Sequence, residues 1–425
     1  MIDLTSLDRL VSPYGVVSMD WDSTHEPVQS EVATILTSIG SGQPGVGAPI
    51  GKHITCAGIV RGSTDLARFV GIAEGAERYS AADILGEERI WATARELAGE
   101  CLEPERYPRC SEREYAAPDC PIGPFDVDAS VRWVRGLDLH SRKPTWVPAA
   151  MATYNLHRVE AERFVYPIST GYAVHTDPVE AVVRGICEVV ERDIISVLWL
   201  QKLALPTLGP EPISDVLAES IEWSRRHFVR THLFDATTDI GVPTVYCLLA
   251  CEYDDKASRM VGAGTGRTLG EAAEKAFFEA IHVPHVIHRS VKPPPSELAG
   301  FDHIADGSRY MGLAERAPAF DFLLKDERHT TANPRMPDDP DEALAWLSRA
   351  LERADMRAVV VDRTPRELAE VGLHAVNVVI PDLQPMSLVP DIQFKGHPRL
   401  YEAPARMGYP VLPEEELNPW PQPFA

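Results

Sequence analysis

The chain has 425 residues, 44% of them hydrophobic, and carries 63 acidic side chains against 41 Lys and Arg, for a formal net charge of −22. That composition excludes a disordered or fibrous polymer, and the acid excess opposes the counterion release by which proteins hold DNA or RNA, so no nucleic-acid partner is expected. No window approaches the roughly 18 apolar residues of a membrane span, and the opening MIDLTSLDRLVS lacks the regions of a signal peptide, so no membrane association and a cytoplasmic location are expected.

Residues 1–45 read as a small segment packed on the main domain. They hold a strand from Tyr14 to Met19 and a helix from Pro27 to Ser38, and the Gly-rich loop SGQPGVGAPIG follows at 41–51. From Thr64 to Ala82 the residues Leu66, Phe69, Val70, Ala73, Ala76 and Tyr79 recur at helical spacing behind a Thr64-Asp65 cap. A strand is expected from Arg132 to Leu137. The strongest periodicity runs from Asp177 to Leu203, with Thr176 or Asp177 as cap, Pro178 in the first turn and Val182, Ile186, Val190, Ile194 and Leu198 along the apolar side. Strands at Thr231–Phe234, Pro243–Tyr253 and Met260–Ala263 lead to a helix at Leu269–Ile281. After the Pro-rich excursion VKPPPSELAG (291–300) come a helix from Pro340 to Ala354, a strand from Ala358 to Val361, a helix from Pro365 and a strand from Val376 to Ile380. This order predicts an α/β fold with mixed sheets covered by helices. No linker divides it, so 46–425 reads as one domain, and no solenoid-type repeat is evident.

The cysteines at 56, 101, 110, 120, 187, 247 and 251 form no CxxC pair and read as reduced structural thiols. His282, His285 and His288 are interrupted by Pro284 and lack supporting carboxylates, so a three-histidine metal site is not expected.

Two helices carry one pentad, Glu74-Gly-Ala-Glu77-Arg78 and Glu188-Val-Val-Glu191-Arg192. Residues three apart share a helix face, so each pentad presents two carboxylates side by side with an Arg. Most such pairs are solvated surface charge. Here the neighbours are apolar, and carboxylates near a core need a counter-charge, which Mg²⁺ with a nucleotide phosphate chain would supply. The sequence has no GxxxxGK[ST] loop and no kinase-type lysine and DFG set, so phosphate would be held by carboxylate-bound metal and scattered basic residues.

The segment RGSTDLARFVGIAEGAERYSA (61–81) resembles the first signature of the YcaO family, and STGYAVHTDPVEAVVRGICEVVERDIISVLW (169–199) resembles the second. The third signature, an Arg-x-x-x-Glu helix, is matched by Lys275 to Glu279 with His282 beyond it. The resemblance implies a YcaO-type fold with an ATP site between the carboxylate-bearing helices. It implies Mg²⁺ on Glu74, Glu77, Glu188 and Glu191, and ATP contacts from Arg61, Arg78, Ser169, Glu180, Arg192, Lys275 and Glu279. Three positions depart from the family pattern: Thr170 replaces Asn, Lys275 replaces Arg and His282 replaces Gln. Lys275 keeps a point charge but loses bidentate geometry.

The chain ends Pro419-Trp420-Pro421-Gln422-Pro423-Phe424-Ala425, an extended Pro-x-Pro-x-Pro. In the resemblance this motif marks the azoline-forming branch and directs the terminus into the active site. Pro419, Pro421 and Pro423 would then hold the Ala425 carboxylate as a proton acceptor, with His282 as a second candidate base. As an extended terminal segment the tail is expected to be removable with little loss of stability. The implied activity is an ATP-dependent cyclodehydratase that phosphorylates a backbone amide oxygen of a ribosomal precursor peptide, converting Cys, Ser or Thr into thiazoline or oxazoline in natural-product biosynthesis. The alternatives are a thioamide- or amidine-forming enzyme of the same family and a non-catalytic ATP-binding scaffold. With about 45 residues before the region of resemblance begins, the resemblance further implies a separate leader-peptide-binding partner of the E1-like, ThiF-like kind. A homodimer fits the same reading.

Overall fold

The computed structural model describes residues 4–22, 32–40, 55–83, 88–154, 156–209, 213–290, 293–301, 305–325 and 328–424. The whole Gly-rich run 41–51, residues 27–31 of the expected first helix, and Ala425 lie outside the described residues. In chain order the strands are β1 (Val17–Asp22), β2 (Val32–Ile39), β3 (Thr55–Arg61), β4 (Arg89–Ala92), β5 (Val131–Asp138), β6 (Pro144–Pro148), β7 (Tyr172–His175), β8 (Val229–Asp235), β9 (Thr244–Cys251), β10 (Arg259–Thr265), β11 (Val359–Asp362) and β12 (His374–Val379). The α-helices are α1 (Leu4–Leu7), α2 (Thr64–Ser80), α3 (Glu112–Tyr115), α4 (Ala149–Ala152), α5 (Pro178–Gln201), α6 (Asp215–Arg226), α7 (Leu269–Arg289), α8 (Asp306–Met311), α9 (Pro340–Arg353), α10 (Arg366–Ala369) and α11 (Arg399–Arg406).

These elements form two compact units, each built from three stretches of chain: 1–107, 125–186 and 357–380 in one, 108–124, 187–356 and 381–425 in the other. The interleaving explains why no linker shows in the sequence. Helix α5 begins in the first unit and ends in the second.

In the first unit β1, β2 and β3 make an antiparallel sheet, and β4, β5, β11, β12 and β7 make a second, with β6 also paired to β5. The helix expected at 27–38 is corrected: residues 32–39 are strand β2, paired from Val32↔Arg61 to Ser38↔Thr55. Its β-branched residues Thr34, Ile35, Thr37 and Ile39 suit a pleated surface, and pairing on both sides supplies the ladder a lone helix turn could not match. Helix α2 packs on β2 and β3. Ser63 caps it, its hydroxyl accepting from the Leu66 N–H at 3.1 Å. The approach is close because Gly58 and Gly71 face each other: a Cβ on Gly58 would fall 1.8 Å from the Ala67 carbonyl oxygen and 2.4 Å from the Gly71 nitrogen.

In the second unit β8, β9 and β10 form an antiparallel sheet. Every residue of β9 is buried, because both faces are covered. Val245, Cys247 and Leu249 meet Ala272, Ala276, Phe277 and Ala280 of α7, whereas Tyr246 and Leu248 meet Ile194, Leu198 and Trp199 of α5. The two sets alternate, as strand side chains must. Helix α7 runs on through Pro284 to Arg289, beyond the end expected at Ile281. An interior proline costs about 3 kcal/mol, and burial of Val283 and Ile287 in the same core offsets it. All seven cysteines are free, six buried and Cys120 half-buried. Among the described residues no helix is long and apolar enough to cross a membrane.

Candidate functional site

In the first unit the cap at Ser63 sets the phase of α2 and the glycine contact sets its distance from β3. Together they place Glu74 where its Oε2 accepts the Ala57 N–H at 2.9 Å. Arg78 lies between the two carboxylates of the pentad, 3.5 Å from Glu74 and 3.1 Å from Glu77. Both carboxylates stay partly open to solvent. The Cys56 thiol beneath them is pushed well above its ordinary range, by burial first and by the Glu74 charge next. Arg61 closes β3. Ser169 is half-buried in the turn before β7, where Gly171 at φ +87° offers its carbonyl to the Val378 N–H at 2.7 Å. Asp177 caps α5, accepting from the Val179 and Glu180 N–H groups at 2.8 and 3.0 Å. The Glu180 side chain pairs with Arg184 at 3.1 Å.

In the second unit α5, β10 and α7 converge. Arg192 is 3.2 Å from Glu191 and 3.6 Å from Glu188. The Thr265 hydroxyl donates to Glu191 at 3.3 Å, and the Thr265 carbonyl accepts from Lys275 Nζ at 2.7 Å. Glu279 Oε2 accepts the Ala263 N–H at 2.7 Å. Glu188, Glu191 and Glu279 therefore gather around the Arg192 guanidinium, three carboxylates about one cation. The Glu279 carboxyl registers it: burial pushes its pKa up to about 7, Arg192 opposes, and Glu191 and Glu188 add to the rise. Such a set fits a hard divalent cation. Among the described residues no three His, Cys, Asp or Glu side chains gather as a ready metal centre. Mg²⁺ is commonly held by one or two carboxylates while phosphate oxygens and waters complete its octahedron.

The His282 ring packs against His285, centroids 5.2 Å apart, and its pKa is lowered to about 4 by burial first and then by His285, so the imidazole is neutral near pH 7. The tail is not a loose appendage, which corrects the expectation that it can be removed freely. Pro421 and Pro423 are buried and Pro419 is exposed, but the residues between the prolines make the hydrogen bonds, through backbone carbonyls at Trp420 and Phe424 and a side chain at Gln422. The Trp199 Nε1–H donates to the Trp420 carbonyl at 2.8 Å, the Gln422 amide donates to the Ile195 carbonyl at 3.4 Å, and the Ser308 N–H donates to the Phe424 carbonyl at 3.1 Å. Phe424 is 2% exposed and its ring meets Tyr246 edge-on at 5.8 Å. An apolar or amide residue at every second position of an extended segment was the available signal for this seating.

Sequence reasoning also missed Thr265 and the ion cluster beside the second pentad. There Arg399, fully buried, donates to Asp193 at 2.8 Å and to Asp239 at 2.7 Å, while Asp193 also accepts the Gln384 N–H at 2.8 Å. Asp193 directly follows Arg192, so this cluster fixes the turn of α5 that carries Glu191 and Arg192.

Residues 61–384 match the family described as YcaO cyclodehydratase, ATP- and Mg²⁺-binding. A protein of Rhizobium leguminosarum bv. trifolii, described as an uncharacterized protein in the tfuA 3′ region, is 31% identical over 126 residues, which is 28% of this chain and 29% of that protein. Among solved structures, a heterocyclase in complex with substrate and cofactor superposes with a TM-score of 0.83 at 21% identity, covering 100% of this chain and 57% of that one. YcaO from Methanopyrus kandleri, bound with AMPPCP and Mg²⁺, superposes with a TM-score of 0.60 at 18% identity, covering 87% and 86%. At these identities the superpositions establish the fold. The chain spans less than two thirds of the Rhizobium protein and of the substrate-bound heterocyclase.

Proposed function

The chain belongs to the YcaO family, and from that premise we propose that it is an ATP- and Mg²⁺-dependent cyclodehydratase that forms azolines in a ribosomally made peptide. A Cys, Ser or Thr side chain of the substrate attacks the preceding carbonyl carbon, the resulting oxygen takes the γ-phosphoryl group of ATP, and loss of phosphate leaves the thiazoline or oxazoline. Bound Mg²⁺ would supply charge neutralisation during phosphoryl transfer. Within the first unit Glu74 and Glu77 would hold one such ion, and within the second Glu188 and Glu191 would hold another. The Ala57 N–H fixes Glu74, and the Thr265 hydroxyl fixes Glu191, so each pair keeps one oriented carboxylate without metal. Arg78 and Arg192 limit repulsion within the pairs. Arg61, Ser169, Glu180, Lys275 and Glu279 are assigned to the nucleotide, and the neutral His282 imidazole is available to accept a proton. The seated tail supports the azoline branch, with Pro419, Pro421 and Pro423 keeping the backbone extended beside α5.

The observation that carries this reading is the gathering of Glu188, Glu191 and Glu279 around Arg192, with Glu191 and Glu279 held in place by Thr265 and Ala263. A peptide precursor as substrate, delivered by a separate leader-binding protein, belongs to the same proposal. Its test is Glu191→Gln and Glu77→Gln, each expected to lower ATP turnover at least about a hundredfold, because a neutral amide is a poor Mg²⁺ ligand, with near-UV circular dichroism unchanged. Variants that still release phosphate at the native rate would remove these residues from the site.

A further inference from the structure

The junction that places Glu74 occurs three times in the chain. Strands β3, β7 and β10 each end the strand order of their sheet, and each leads into a helix capped by a side chain: Ser63 for α2, Asp177 for α5 and Thr268 for α7. At one constant separation from the cap (63 to 71, 177 to 185, 268 to 276) stands a small residue, Gly71, Gly185 or Ala276, packed on backbone of the strand or, for Gly185, of the turn that opens it. A Cβ on Gly71 would lie 3.2 Å from the Gly58 nitrogen, one on Gly185 would lie 3.0 Å from the Gly171 oxygen, and one on Gly262 would lie 2.3 Å from the Ala276 oxygen. One turn on (74, 188, 279) comes Glu74, Glu188 or Glu279. In the first and third copies a strand N–H holds that glutamate, from Ala57 and Ala263 respectively. The phase of a capped helix pressed on a strand is fixed, so the next position on the same face is equivalent in all three. That position holds Glu77, Glu191 and, in the third copy, His282.

The residue following it changes too. Arg78 and Arg192 follow the glutamates and pair with them, whereas Val283 follows His282 and is buried. A Glu–Arg pair and a neutral His–Val pair carry the same net charge, so the exchange keeps the electrostatics while replacing a carboxylate oxygen by an imidazole nitrogen. Among the described residues no hydrogen bond is made to the His282 ring, and its Nδ1 is buried without a partner.

We propose that His282 is a nitrogen donor to the divalent cation that accompanies the nucleotide, filling in the third copy the role that the repeat gives Glu77 and Glu191. The inference rests on the ATP and Mg²⁺ reading above. Mn²⁺ shares the carboxylate and water ligands of Mg²⁺, so it serves as the paramagnetic probe of this site.

The test is pulsed electron paramagnetic resonance of Mn²⁺ with a methylene-bridged ATP analogue, bound to untagged protein whose histidines carry ¹⁵N, which separates imidazole from adenine nitrogen. A ¹⁵N coupling is expected in the native chain and in His285→Gln, and is expected to vanish in His282→Gln with Mn²⁺ affinity reduced about tenfold. Should His282→Gln fail to fold, His282→Glu restores the residue of the other copies and is expected to bind Mn²⁺ without histidine coupling. Mn²⁺ and nucleotide bound with no ¹⁵N coupling, or a coupling that survives loss of His282, overturns this inference and leaves the ATP reading standing. Absence of any nucleotide-dependent Mn²⁺ binding overturns both.

Discussion

Phe424→Ala tests whether the C-terminal segment is part of the folded core. The ring is 2% exposed and meets Tyr246 edge-on, while its backbone carbonyl accepts the Ser308 N–H. Truncating a buried Phe costs about 3–5 kcal/mol through lost burial and the cavity left behind. The segment has backbone on one side that can sink into part of the gap, so the low end, about 3 kcal/mol, is expected. That is roughly a 140-fold shift in the unfolding equilibrium. The measurement is the urea midpoint at unchanged slope, since a changed slope would signal a different denatured state. A double-mutant cycle with Tyr246→Leu should return a coupling of about 0.5–1.5 kcal/mol for the aromatic pair. Phe228, 79% exposed, is the control, and Phe228→Ala should stay within about 0.5 kcal/mol of native. If Phe424→Ala behaves like the control, the ring is not packed and the seating of the tail is wrong.

Arg399→Met should destabilise by about 3–5 kcal/mol, because it leaves Asp193, fully buried, without its cation, while Asp239 keeps Arg406 at 3.6 Å; adding Asp193→Asn should recover part of the loss in urea titrations, and no recovery would assign the cost to packing. Gly58→Ala should push α2 off β3, since its Cβ would meet the Ala67 carbonyl oxygen at 1.8 Å. A loss of at least about 1–3 kcal/mol is expected, with weaker nucleotide binding by calorimetry because Glu74 loses its Ala57 contact. Glu162 is fully buried. Burial raises its pKa, but the Arg132 guanidinium and the Arg132 and Val159 N–H groups outweigh burial and hold the carboxyl below its ordinary range. The ionised form therefore stabilises the fold above the unfolded pKa of about 4.3, and that contribution is lost as pH falls through the lower folded value. The stability gap between native protein and Glu162→Gln should accordingly be full at pH 7 and shrink on acidification below about pH 4; a gap that widens with acid would contradict the assignment.

Local signals made much of the fold and of the metal-facing pairs legible. Helices α2, α5, α7 and α9 follow from caps and from apolar periodicity over many turns, and the Glu-x-x-Glu-Arg pentads declare themselves because spacing on one helix depends on nothing distant. Strand β2 was not legible. Over eight residues an apolar run fits a helix face as well as a strand, and only pairing with β1 and β3 decides. Pro284 likewise looks like a helix stop until burial of Val283 and Ile287 is known to outweigh it. Tertiary structure alone decided which carboxylates are oriented, because the Ala57, Ala263 and Thr265 donors lie on strands far from Glu74, Glu279 and Glu191 in sequence. It also decided that Trp420, Gln422 and Phe424, rather than the prolines between them, secure the tail. Sequence sets which groups a segment can present, but hydrogen bonds and buried contacts between distant segments exist only once the chain has closed on itself, and these orient the site.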